Sequence, residues 1–120
     1  MSALESVVEN YIASWNETEP GKRKSALAAS CAANASYRDP VMVSDGHAGL
    51  DAMLAGVQAK FPGFVLKRIS TIDSHNNAVR FAWSLGPVAG PSVVEGVDFA
   101  TLSSDGKLAA IVGFIDKMPG

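Results

Sequence analysis

The sequence has one cysteine, Cys31, so no disulfide can form within the chain, and this usage fits a reducing compartment. Its two histidines, His47 and His75, lie far apart with no ligand spacing and give no metal site. Charge is scarce and nearly balanced: 10 Lys and Arg against 12 Asp and Glu leave a net charge of -2. That gives no electrostatic case for nucleic acid or an anionic membrane as a partner. No apolar run approaches the length of a membrane span. The opening "MSALESVVENYIASW" lacks the basic region and unbroken apolar stretch of a signal peptide. "GPVAGP" has neither the helix nor the lysine of a phosphate loop. The expectation is a cytoplasmic protein that uses no metal or organic cofactor.

What is present is globular. Across 120 residues, 48% are apolar and 18% charged, which suits a single domain, 1–120, with one core. Leu4, Val7, Val8, Tyr11, Ile12 and Trp15 recur at helical spacing, and Ser2 with Glu5 has the spacing of a capping box. A second helix is expected over about Lys22–Cys31, with Pro20 suited to its first turn. "ASYR" at 35–38 reads as a short strand and "VSDGHAG" as a loop. A third helix carries Leu50, Met53, Leu54, Val57 and Phe61 and stops at "PG".

After Gly63 the period changes to two. "FVLKRISTI", "AVRFAWSL", "VVEGVDFATL" and "KLAAIVGFI" read as strands, separated by "DSHNN", "GPVAGP" and "SSDG". Helices followed by a run of antiparallel strands predict an α+β fold, with the helices on one side of the sheet. Val97, Phe99, Ala110, Val112 and Phe114 then make the outer face apolar, which points to a homodimer through that face.

Three polar residues stand out. Asp39 lies between a strand and Pro40, where it is either a turn-former or a base aimed into a pocket. Asp98 sits mid-strand, where Asp is disfavoured, and alternation with Val97 and Phe99 turns it inward. Tyr11 is on the apolar stripe of the first helix, so its hydroxyl needs an interior partner. The expectation is one cavity lined by Tyr11, Trp15, Asp39, Phe81, Trp83, Asp98 and Ile111.

The segments "YIASWNETE", "ASYRDPV", "GLDAM", "VRFAWSL" and "GVDFATLSSDGKL", in that order and spacing, resemble the nuclear-transport-factor-2-like superfamily. The resemblance is to its SnoaL-like and ketosteroid-isomerase-like branch, over nearly the whole chain. It implies a cone-shaped, cystatin-like fold: a curved antiparallel sheet wrapped around three N-terminal helices, enclosing a mostly apolar pocket. It also implies dimers through the outer sheet face. In ketosteroid isomerases a helix tyrosine, a base aspartate before a proline and a protonated mid-strand aspartate do the chemistry. By resemblance these fall on Tyr11, Asp39 and Asp98. Asp39 would remove a proton beside a carbonyl, and Tyr11 and neutral Asp98 would donate to the oxyanion. Trp15 and Trp83 narrow the cavity against a steroid-sized substrate, and Arg38 has no role in this scheme. Two readings stay open: an isomerase, cyclase, lyase or hydrolase acting on a small apolar carbonyl compound, or a ligand-binding domain without turnover.

Overall fold

The computed structural model describes residues 2–119. Helix α1 (Ala3–Asn16) starts on the expected capping box, Ser2 and Glu5 each accepting from the other's backbone N–H, and it buries Val8, Tyr11 and Ile12. Helix α2 (Pro20–Ser30) begins at a proline, which has no N–H to leave unpaired, and the Glu19 carboxylate accepts from the Gly21 and Lys22 amides. Strand β1 (Cys31–Arg38) follows at once and is longer than "ASYR". The expected loop "VSDGHAG" instead forms strand β2 (Val43–Asp45) and the start of helix α3 (Gly46–Lys60).

Strands β3 (Phe64–Arg68), β4 (Asp73–His75), β5 (Ala78–Pro87), β6 (Val94–Leu102) and β7 (Leu108–Lys117) complete the chain. "FVLKRISTI" is not one strand. It breaks after Arg68, where the Ser70 hydroxyl accepts the Ala82 amide in place of a strand carbonyl. The turn in "DSHNN" shrinks to Asn76 and Asn77, with Asn76 left-handed at φ 53°.

The seven strands form one sheet in the order β2-β1-β7-β6-β5-β3, with β4 beside β5. The pairs are antiparallel except β1 with β7, which run parallel. The sheet is therefore mixed, where an antiparallel one was expected. Most of the chain lies between β1 and β7, so no hairpin fixes their relative direction. Register shifts interrupt β1–β7 between Cys31 and Ser36, and β6–β7 at both ends of the ladder. Such bulges bend strands, and here they help curve an unclosed sheet around the helices.

The concave face carries Val79, Phe81 and Trp83 of β5, Asp98 and Ala100 of β6, and Ile111 of β7, all buried. The convex face carries Val97, Ala110 and Val112, half-buried, with Phe99 and Phe114 exposed.

Side-chain clamps tie α1 to its neighbours. Asn16 exchanges two hydrogen bonds with the Leu66 backbone, at 2.9 and 2.7 Å. Gln58 donates to the Trp15 and Glu17 carbonyls, which α1 leaves unpaired at its end. Arg23 is buried and paired with Asp51 at 2.6 Å, and it also donates to Gln58. Among the described residues, no helix is long and apolar enough to cross a membrane.

Candidate functional site

A cavity of about 340 Å³ opens between the helices and the concave face. That is at the small end for a ligand site. Its walls are mostly apolar, from Leu66, Leu85, Val94 and Ile115 on the sheet and Val57 and Phe61 beside them. Among the described residues, three charged ones line it: Asp39, Asp98 and Lys60.

Asp98 comes from the middle of β6 and is 3% exposed. Tyr11 donates to its Oδ2 at 2.8 Å, and the Trp83 indole N–H donates to its Oδ1 at 3.0 Å. The second bond depends on a glycine. Trp83 pairs in register with Gly96, and a Cβ at Gly96 would lie 2.7 Å from the indole ring. With no side chain there, the indole reaches across β6 to the carboxyl one row further in. Burial raises the Asp98 carboxyl from 3.8 to about 6; its two donors pull it down and the charge of Asp39 pushes it up.

Asp39 opens the turn after β1. Its Oδ1 accepts the Val41 and Met42 amides, both at 2.8 Å, while its own amide donates to the Met42 carbonyl. This is the turn chemistry expected of Asp before Pro. The other oxygen, Oδ2, accepts from the Tyr37 hydroxyl at 2.6 Å. Asp39 therefore forms a turn and lines the cavity.

Gly113 of β7 lets Asp98 and Asp39 approach each other. A Cβ at that position would lie 3.0 Å from Asp98 Oδ1, 3.2 Å from Asp39 Cβ and 3.3 Å from the Tyr37 hydroxyl. The missing side chain leaves room for all three to converge. Burial first, then the charge of Asp98 and the bond to Asp39, hold the Tyr37 phenol far above its usual range, so it stays a donor. Burial and the charge of Asp98 do the same to Tyr11.

Of the seven residues expected around the cavity, the structure puts Trp15, Asp39, Trp83 and Asp98 on its wall. Tyr11 is 1% exposed and stands behind Asp98, with its hydroxyl already committed to that carboxyl. Phe81 and Ile111 share the concave face but lie deeper, in the core. Trp15 sits between the rings of Tyr11 and Tyr37, at 6.2 and 5.8 Å, and its buried indole N–H has no partner among the described residues.

Tyr37 is the site residue that sequence reasoning missed. Its signal was its place two residues before Asp39, on the inward parity of β1. His47 lies outside the cavity; its Nε2 meets the Cys31 carbonyl at 2.9 Å and fastens the start of α3 to β1. Arg38 and His75 are exposed, and Cys31 is buried with its thiol pushed up to about 11 by burial. Among the described residues, no three His, Cys, Asp or Glu side chains cluster as metal ligands.

Comparison with known proteins places this geometry. Residues 8–111 match the model of the SnoaL-like domain. The fold superimposes on that of a SnoaL-like-family protein from Agrobacterium tumefaciens, provisionally assigned as an isomerase. The TM-score is 0.89 and the identity 34%, covering 97% of this chain and 99% of that one. A protein of unknown function with a cystatin-like fold from Methylobium petroleophilum aligns with a TM-score of 0.77 at 17% identity, over 98% of this chain and 78% of that one. A provisionally assigned polyketide cyclase from Sinorhizobium meliloti aligns with a TM-score of 0.71 at 11% identity, over 94% and 99%. The last two are too distant to speak for more than the fold. No curated protein matches the chain.

Proposed function

We propose, from the premise that the chain belongs to the SnoaL-like family, that it is an isomerase- or cyclase-type enzyme acting on a small, mostly apolar carbonyl compound. The observation that carries this reading is the approach of two aspartates in different environments, around Gly113, on the wall of one apolar cavity. Asp39 takes the proton from the carbon beside the carbonyl. Its Oδ2 has one lone pair left after Tyr37, and its orientation is fixed by the turn. Asp98 donates to the oxygen on which charge develops. It titrates near 6 in the free protein, so it is largely ionised at pH 7. An apolar occupant that expels water from the cavity drives it toward the neutral, donating form. Tyr11 and Trp83 act through Asp98 by holding both of its oxygens. Return of the proton from Asp39 to another carbon completes an isomerisation. Attack of the enolate carbon on a second carbonyl in the same molecule, with the Asp39 proton passing to the alkoxide formed as that C=O π bond breaks, completes a cyclisation.

The test is deuterium exchange and isomerisation of small enones and β-keto esters, followed by NMR. Binding is read separately: both tryptophans of the chain line the cavity, so their fluorescence reports occupancy. Asp39→Asn is expected to slow turnover about 10²–10⁴-fold, the usual range for a general base. Equal rates in both proteins, on a compound that quenches the tryptophans, would refute catalysis. A ligand-binding domain without turnover is the second reading. It is favoured by one observation: Asp39 Oδ1 is fully engaged by the Val41 and Met42 amides, as a purely structural turn would have it.

A further inference from the structure

The charges on the cavity wall differ in sign and in exposure. Its two acids are Asp98, which is buried, and Asp39, which is half-buried; among the described residues its one cation is Lys60, exposed at the end of α3. Among the described residues, no carboxylate lies within ion-pair distance of Lys60. Its ammonium instead rests 5.6 Å from the centre of the Phe61 ring, and Phe61 is stacked on Phe64 at 5.2 Å. The aromatic pair holds the charge beside the cavity, where Phe61 is itself part of the wall. Two other wall residues, Val41 and Met118, are 60% and 54% exposed.

A lysine at the last turn of a helix also has a bland explanation, since it complements the helix dipole. That accounts for its place in the sequence. It does not account for a cation on the wall of a cavity whose other charges, among the described residues, are both acidic.

We propose that the ligand of this cavity is an organic carboxylate, its apolar body in the throat and its carboxylate at the mouth against Lys60. This rests on the reading of the cavity as a site for a small carbonyl compound, and it narrows that class to carbonyl acids. The orientation follows from charge. A carboxylate at the inner end would face Asp39 and Asp98, and like charges in a poorly hydrated site repel strongly. Lys60 is the partner of opposite charge on the wall, and a carboxylate set against it leaves the carbonyl end for the acids.

The experiment measures binding without turnover. Octanoate and 1-octanol share an apolar chain and differ in charge. Each is titrated into the wild type, Lys60→Met and Lys60→Glu, with tryptophan fluorescence as the readout, at pH 7.5 in low salt and in 0.5 M NaCl. A partly exposed ion pair is worth a modest factor, so Lys60→Met is expected to weaken octanoate about two- to fivefold. Lys60→Glu is expected to weaken it further. The octanoate difference between wild type and Lys60→Met shrinks in high salt, while octanol shows no comparable change. The inference is overturned if octanoate fails to bind, if Lys60→Met leaves it unchanged, or if both probes weaken equally. An inert protein that still selects octanoate through Lys60 would sink the catalytic reading alone. Turnover of neutral ketones with no octanoate selectivity would sink this inference alone.

Discussion

Replacing Asp98 with Asn should make the protein more stable at neutral pH, and the size of the gain can be worked from the site. Asp98 is almost fully buried, and its carboxyl is raised from 3.8 to about 6. At about 1.4 kcal/mol per tenfold change in acidity, the ionised group costs the folded state about 3 kcal/mol at pH 7.5. Between pH 4 and 6 the folded protein keeps this proton and the unfolded chain has lost it. Unfolding then releases a proton, so stability falls as pH rises through that window. The whole penalty is present above it, and at pH 4 most of it is gone.

Asn has the same shape, and any packing or hydrogen-bond cost of the change is common to both pH values. The stability difference between Asp98→Asn and wild type should therefore be about 2 kcal/mol more favourable at pH 7.5 than at pH 4. Urea unfolding of both proteins at the two pH values, followed by circular dichroism, measures this directly. A pH-dependent difference near zero, or one of opposite sign, would refute the account of Asp98 as a carboxyl strained by burial. Gain of stability with loss of turnover is the signature of a residue kept for function.

Two glycines make a matched pair. Gly113→Ala places a methyl group against Asp98, Asp39 and Tyr37 and should cost about 1–3 kcal/mol while abolishing proton exchange; Gly56→Ala, in the middle of α3 with nothing within 4 Å, should stabilise by about 0.5–1 kcal/mol in the same unfolding assay. The convex face is proposed as a homodimer interface, because Val97 pairs with Phe114 and Phe99 with Val112 to give one apolar patch. Sedimentation at micromolar concentration should show a dimer for wild type and a monomer for Phe114→Glu; a monomeric wild type would rule the interface out.

The sequence reading succeeded where alternation decides and failed where distance does. Period two turned Asp98 inward from its neighbours Val97 and Phe99, and the structure buries it at 3% exposure. The same rule put Phe81, Trp83 and Ile111 on one face, which they share. Parity names the face but not the depth. Phe81 is level with Asp98 in the ladder, Trp83 lies one row nearer the mouth, and only Trp83 reaches the wall. The contact of Trp83 with Asp98 needs both the β5–β6 register and the gap at Gly96, and neither is visible in a strand read alone. Arg23, Asn16 and Gln58 had no periodic signal, because each binds a partner 28 to 50 residues away. The parallel pairing of β1 with β7 was hidden for the same reason: nothing local links the two strands.

Turn and base are not competing descriptions of Asp39. Pro40 has no amide, so the Asp39 carboxylate passes over it to the amides of Val41 and Met42, and its own amide closes the loop on the Met42 carbonyl. Those bonds fix one oxygen and thereby aim the other at Tyr37 and the space beside Asp98. A base held this way needs little reorganisation when it takes a proton. The two roles can be separated by choice of substitution. Asn at position 39 keeps an oxygen for the two amides and removes the basic one, so it should unfold like wild type and lose turnover. Ala removes both and should also lose about 1 kcal/mol of stability, since the part-buried Met42 amide and the exposed Val41 amide lose their partner. Unfolding curves for the two variants, measured beside their exchange rates, decide the matter. If Asn destabilises as much as Ala, the carboxylate is held by more than its turn bonds, and the division of labour between its two oxygens is wrong.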